Sequence, residues 1–542
     1  MLIILINNLV NIKIYCYNLI IEVSDYMIRN KIKKNWYYIL VFIVITIMFF
    51  MHYIIYFWDS TEYLGMSMAL KTKSIRDVWL PHRGLTFPLI LKLFTFGTYN
   101  KHLLLLMLYL FFLAVFIVVI KIGKNTKIFA DKNEKVLYLV WSLLFLILNP
   151  FIFVYYHALL TEFIAMSMSV IFVYLLWKWT DNNILAKTKS IIGYTCIFSL
   201  ILVCMYHTKQ SFIAMMILEF LLGLIISIIK KINVKNVLVR LSTFLICIVL
   251  LVLSIKMWNN YMYSRGVKDV EEKTEAARVS KRLLYGLNEL EEVGNNQNLT
   301  IVGNKFLKLN GAADDKAIYK ILLNKSDKEE IKKIMEKKSK YKGFTVYQYK
   351  EKKQYVLFTK RNYSLKEQIP LFVKIVLKNP FLAIKSYIKG YYEVVWSSDK
   401  EYHYENMGIV RYYLVGKGNN LPNYNEDYLY AMEGLVKTPK RTIFDKFLYG
   451  LTVVFWYLYR INQLLLPFLF IFSIIIYIII WRKKEQYFIK RGFELIILLF
   501  GMAISCIMSY IIFGALIDRY LMPSHIPMFM GDVLLIIYLY RL

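Results

Sequence analysis

The sequence predicts a polytopic α-helical membrane protein of about 10 transmembrane helices, with a long first outer loop and a mixed α/β extracytoplasmic region. Three observations predict it. Of the 542 residues, 58% are hydrophobic and 17% aromatic, above the apolar content of about 45–50% usual for soluble domains. Several apolar runs reach the roughly 20 residues needed to cross a bilayer core. Lys and Arg gather between those runs on alternate sides, the asymmetry that sets membrane orientation. A large soluble protein with buried helices is the competing class, and the mean hydropathy of +0.47 argues against it.

Taken in order, residues 1–26 are apolar but interrupted by Asn7, Asn8, Asn11 and Lys13. They read as an interfacial helix or as a stretch preceding the natural start at Met27. Spans are expected near 36–57, 102–120, 136–153, 157–177, 191–206, 211–229, 238–257, 461–481, 493–513 and 523–541. With the amino terminus inside, the inner loops hold Lys121, Lys124, Lys127, Lys132 and Lys135, then Lys178, Lys187 and Lys189, and later Arg482, Lys483 and Lys484. The short outer turns near 154–157, 207–210 and 514–522 hold only Lys209 and Arg519. That parity divides the chain into a membrane core over 1–257, an outer region over 258–460 and carboxy-terminal helices over 461–542. In the outer region 271–293 and 326–339 look helical, and 344–349 with 354–359 form a hairpin by alternation. Residues 379–397 and 441–459 mix aromatics with Lys and Arg and are expected to lie along the membrane surface.

The formal charge is +31, from 68 Lys+Arg against 37 Asp+Glu. Its concentration in short loops, without RNA-binding motif spacing, assigns it to topology and anionic lipid rather than nucleic acid. Five cysteines, all in apolar stretches and without Cys/His metal spacing, read as small core residues. The abundance of Ile, Lys, Asn and Tyr suggests an AT-biased bacterial genome and hence the cytoplasmic membrane of a bacterium.

The polar residues that merit chemistry lie at one rim. Trp58-Asp59-Ser60-Thr61-Glu62-Tyr63-Leu64 follows the first span, and Pro81-His82-Arg83-Gly84 lies in the same loop. Charge beside hydrocarbon is costly and marks sites. Asp59 and Glu62, three apart, share one helical face and can act as base or cation ligand. The bland alternative is a solvated helix start, where acidic residues are favoured. Glu162 enters the fourth span within its first turn or two, with Thr161 beside it, and needs a partner or its own proton. Lys209 lies in the outer turn between spans five and six, and Arg519 before the last span. Both offer positive charge to phosphate, the alternative being snorkelling to headgroups. His82, His157, His207 and His525 read as interfacial polar residues, and the helix middles read as plain. P-loop, GxSxG, HExxH and GxGxxG signatures are missing from the sequence.

The order of these features resembles the GT-C class of membrane glycosyltransferases that use polyprenyl-phosphate sugars, such as protein O-mannosyltransferases and aminoarabinose transferases. The matching residues are Asp59 with Tyr63, Arg83-Gly84-Leu85-Thr86-Phe87-Pro88-Leu89, Leu160-Thr161-Glu162 and Arg519-Tyr520-Leu521-Met522-Pro523. The resemblance implies a polyprenyl-phosphate-linked sugar as donor and an extracytoplasmic glycan, lipid or protein as acceptor. It implies Asp59 as base and Glu162 as a second catalytic carboxylate that orients hydroxyls. Arg519, Lys209, Arg83, Tyr63 and Glu62 would bind substrate. Asp59 is followed by Ser60 rather than a second acid, so neither a metal nor another cofactor is expected. The alternatives are a polymerase or ligase of lipid-linked glycans, or a flippase or transporter of envelope precursors. A transporter would place charge or broken helices at mid-membrane.

Overall fold

The computed structural model describes residues 32–52, 54, 58–70, 79, 83–126, 150–181, 188–230, 234–266, 443–482, 487–513 and 521–542, five short strands between 290 and 359, and positions 381, 384, 388, 391 and 395. The first helices are α1 (Ile32–Phe50), α2 (Trp58–Ala69), α3 (Thr86–Phe94), α4 (Lys101–Asn125) and α5 (Pro150–His157). They are followed by α6 (Glu162–Trp179), α7 (Thr188–Thr208), α8 (Gln210–Ile229) and α9 (Val234–Ser264). The carboxy-terminal helices are α10 (Ile443–Arg482), α11 (Tyr487–Phe513) and α12 (Met522–Arg541). Eight of these, α4 and α6 to α12, contain segments long and apolar enough to cross a membrane. The chain is a polytopic helical membrane protein.

Two expected spans differ. Helix α1 ends at Phe50, short of residue 57, and its apolar part covers only Ile39–Phe50. Most of 136–153 lies outside the described residues, as do 1–26 and 326–339. The described part, α5, stays helical to His157, so the turn before the next span falls at 158–161. Between α7 and α8 the turn shrinks to Lys209, whose extended backbone (φ −160°, ψ 123°) reverses the chain.

The core is built around α11, whose apolar window is 89% buried against α6, α8, α10 and α12. Helices α9 and α10 form the rim, with only 22% of each window buried. Gly492 and Gly531 allow close approach of α11 and α12: a methyl group at Gly492 would lie 2.1 Å from the Tyr538 ring, and one at Gly531 would lie 2.5 Å from Phe500. At the end where α6 stops, its last carbonyls are capped by cations from three other segments. Arg491 donates to Trp177 O, Arg240 to Trp179 O at 3.1 Å, and Lys230 to Thr180 O at 3.1 Å. Positive charge suits a helix carboxyl end. Glu494 neutralises part of it, accepting from Lys230 at 2.6 Å and from Arg491, with the Tyr477 hydroxyl at 3.1 Å.

The boundaries at 257 and 460 fall inside α9 and α10. The stretch 441–459 is not a separate surface helix: from Ile443 it continues unbroken into the span as one 40-residue helix. No glycine or proline interrupts the join near 460, and Pro467 lies about two turns further on, so the helical ladder has no cause to end there. The described positions of 379–397 are helical, and their far end leans on α10 through Tyr391 OH to Gln463 O at 2.6 Å and Arg460 to Val395 O at 3.0 Å. The polar region contains a five-stranded antiparallel sheet in the order β1-β4-β5-β3-β2. The strands are β1 (Leu290–Glu292), β2 (Lys305–Lys308), β3 (Tyr319–Leu322), β4 (Phe344–Tyr349) and β5 (Tyr355–Thr359). The expected hairpin is β4–β5, with Phe344 opposite Thr359. Of the helix expected over 271–293, residues 271–289 and 293 lie outside the described residues, and Leu290–Glu292 is a strand paired with Tyr347–Tyr349. Its short run of charges resembles a helix surface equally well, and the pairing partner decides.

Candidate active site

Helix α2 begins at Trp58, so Asp59 stands in its first turn, where a carboxylate complements the exposed N–H groups. One helical turn on, Glu62 and Tyr63 follow on the adjoining face. Arg83 reaches this face from the segment before α3. Its Nη2 donates to Asp59 Oδ1 at 2.8 Å and to Glu62 Oε2 at 2.9 Å, while Nη1 donates to Tyr63 OH at 3.0 Å. The planar guanidinium thus holds two carboxylates and a phenol at once, a task suited to arginine's fork. The Asp59 side chain is only 4% exposed and Glu62 35%, so Glu62 lies on the open side of the cluster.

Two interactions join α2 to the start of α6. Ser60 Oγ donates to Leu159 O at 2.8 Å. Tyr63 lies within electrostatic reach of Thr161 and Glu162, and Thr161 donates to Glu162 Oε2 at 3.2 Å. Polar interactions therefore run from Arg83 through Tyr63 and Thr161 to Glu162, which is the first residue of α6 and buried. Burial pushes the Tyr63 phenol well above its ordinary value; Arg83 opposes this, and the Asp59 and Glu162 carboxylates add to it. Tyr63 is held as the neutral phenol.

A second set of contacts fixes Arg83 from behind. Trp79 Nε1 donates to the Arg83 carbonyl at 3.0 Å, and its ring meets Trp258 of α9 edge-on at 5.3 Å. Gly84 lies against the last turn of α7 so closely that a Cβ there would sit 1.9 Å from His207 O. A residue with a side chain has no room at that position. His207 is two residues before Lys209, so the loop carrying Arg83 abuts the turn carrying Lys209. The Lys209 side chain is buried over the Phe212 ring, 5.7 Å from its centroid.

The structure thus brings Asp59, Glu62, Tyr63 and Arg83 together with Glu162 and sets the loop beside Lys209. Arg519 and His82 lie outside the described residues. His157, His207 and His525 are buried rather than interfacial. His157 ties α1 to α5, its nitrogens 2.8 Å from Phe153 O and 2.9 Å from Phe49 O. Sequence reasoning passed over Ser60, Trp79 and Gly84, which position the charged groups; the Arg-Gly pair was the available signal for close backbone approach. It also took the helix middles as plain. Glu219 stands mid-way along α8, and Asp532, bonded to Asn462, lies inside α12. Among the described residues no group of three His, Cys, Asp or Glu side chains is placed to hold a metal ion. Comparison with protein-family models, curated proteins and solved structures finds no match for this chain.

Proposed function

We propose that this chain is an integral membrane glycosyltransferase that moves a sugar from a polyprenyl-phosphate donor to an extracytoplasmic acceptor. The observation that carries this reading is the junction of Asp59, Glu62, Tyr63 and Arg83 with Thr161-Glu162 at one end of the helical bundle. Six polar groups from three sequence-distant segments are held there at a helix-bundle rim. In this reading Asp59 takes the proton of the acceptor hydroxyl, whose oxygen attacks the anomeric carbon. The bond from that carbon to phosphate breaks with inversion, and its electron pair leaves on polyprenyl phosphate. Lys209 and Arg519 offset the charge that develops on the leaving phosphate. Arg83 holds Asp59 ionised and aimed, and Glu162 orients hydroxyls through Thr161.

Orientation is supported by the basic residues of the other end. Lys178, Lys189, Lys230, Lys235, Arg240, Lys490 and Arg491 lie where α6, α8 and α10 end or α7, α9 and α11 begin, as a cytoplasmic face requires. In this reading the Asp59 end faces outward, and the protein is a multi-pass component of the bacterial cytoplasmic membrane.

The test uses full-length protein in liposomes with a radiolabelled polyprenyl-phosphate sugar. Asp59→Asn is expected to bind donor normally but to release polyprenyl phosphate roughly 100-fold or more slowly, the usual contribution of a positioned base. Full release by the variant would sink the mechanism. A second reading, a flippase or transporter of envelope precursors, is favoured by the mid-membrane positions of Glu219 and Asp532. It predicts that Asp59→Asn still translocates donor across the liposome.

A further inference from the structure

Glu219 is nine residues from Gln210 and ten from Ile229, the two ends of α8. At 1.5 Å per residue it lies about 14 Å from either end, at the depth where bilayer hydrocarbon is driest. It is 0% exposed, and among the described residues neither carboxyl oxygen has a hydrogen-bond partner. Across the interface stands Gly501 of α11, where a Cβ would fall 2.9 Å from Glu219 Oε2 and 2.2 Å from Leu222 Cδ2. The carboxyl therefore occupies a recess that exists because residue 501 has no side chain.

The charged groups on every helix packed against α8 lie away from this recess. On α11, Arg491 is engaged with α6 and with Glu494, which also meets Lys230; Glu494 and Arg491 lie seven and ten residues before Gly501 and so about 10 and 15 Å along the axis. Glu162 and Lys178 sit in the first and last turns of α6. His207 is in the last turn of α7, and Arg240 is in the second turn of α9. Lys209 and Lys230 flank α8 at its two caps. Lys189 and Lys490 stand in the first turns of α7 and α11, Lys235 in the first turn of α9, and Lys256 about two turns before its end; the remaining titratable groups of these helices are phenols and the thiols Cys196, Cys204, Cys247 and Cys506, which bring no positive charge. An ionised carboxylate in this place would lose its water and gain neither a cation nor a donor, so the neutral acid is the form that fits.

We propose that Glu219 is a proton-binding site in the middle of the membrane bundle, occupied while α8 and α11 are packed and emptied only when that contact opens. The ligand is a single proton, and the packing of two core helices is linked to it. This does not depend on sugar transfer, whose residues lie at the far end of the bundle.

The experiment treats full-length protein in phosphatidylcholine liposomes with dicyclohexylcarbodiimide, an apolar reagent that adds to carboxylic acids. The acid's proton moves to a carbodiimide nitrogen and its oxygen bonds the central carbon; rearrangement leaves a stable N-acylurea with nothing released. Peptide mass mapping of the wild-type chain is expected to find one adduct on Glu219, missing in Glu219→Gln, and not formed by a water-soluble carbodiimide. No adduct at Glu219, or equal labelling by the water-soluble reagent, overturns the site. Amide hydrogen exchange reads the linkage. Corrected for intrinsic rates, α8 and α11 amides should lose protection roughly 10-fold between pH 6 and pH 9 in wild type but not in Glu219→Gln. Equal protection at both pH values in wild type overturns the coupling. The wild-type measurements stand even if the variant fails to fold.

Discussion

Arg83 is the residue on which the Asp59 cluster depends. Its Nη2 alone contacts both Asp59 and Glu62, so removing it leaves a carboxylate that is 4% exposed without its principal partner. Breaking one side of such a pair costs about 3–5 kcal/mol because the remaining charge stays desolvated. Arg83→Ala is therefore expected to lower thermal stability in detergent, and Arg83→Ala with Asp59→Asn should recover much of the loss. A double variant no more stable than Arg83→Ala would show that the pair is not coupled. Asp59, Glu62, Tyr63, Arg83 and Glu162 were legible in the sequence because charge beside apolar runs is rare. Gly84 and Ser60 were not, since their roles lie in what they touch: the His207 carbonyl and the Leu159 carbonyl. Glu219 was hidden for a different reason. One glutamate in a twenty-residue helix that is mostly apolar scarcely moves the mean hydropathy of a span.

Among the elements, α6 joins the two chemical ends of the molecule. Glu162 opens it beside Tyr63, and three cations cap the carbonyls at its other end. Arg491 contributes most to that cap, donating to Trp177 O, Thr180 Oγ1 and Glu494 and lying 4.8 Å over the Trp177 ring. Arg491→Met is expected to destabilise the bundle by about 3–5 kcal/mol, since Glu494 and the carbonyls lose a buried partner. The tryptophan fluorescence transition in a denaturant series would measure it, and an unchanged midpoint would contradict the capping role. The sequence placed α6 to within a few residues, because apolar length defines a span. It did not foresee the cap: Lys230, Arg240 and Arg491 lie in three separate loops or helix starts, where each reads as ordinary orientation charge.

At the scale of the whole molecule the helices sort by burial, α11 within and α9 and α10 at the lipid-facing rim. Orientation is testable on a cysteine-free background. Phe96, 80% exposed in the turn before α4, and Lys189 at the start of α7 lie at opposite ends. An impermeant maleimide added to intact cells should label Phe96→Cys and spare Lys189→Cys; the reverse pattern would invert the topology. The sheet's hairpin was readable from alternation, whereas its outer strands, three or four residues long, are specified by partners far away in the chain.

Helix α10 is 40 residues long, and its apolar window begins only at Tyr457. At 1.5 Å per residue the part before Tyr457 adds about 20 Å of rigid rod. A rod of this kind couples height to heading: each added residue lifts whatever is attached by about 1.5 Å and swings it by about 100°. A Cβ added at Gly450 would meet nothing within 4 Å among the described residues, so the rod is lengthened there. One inserted alanine should turn the upstream chain to a new bearing. Seven should carry it about 10 Å further out with nearly its original aim. Activity retained by the seven-residue insertion but lost in the one-residue insertion would show that azimuth, and not altitude, is what this shaft transmits.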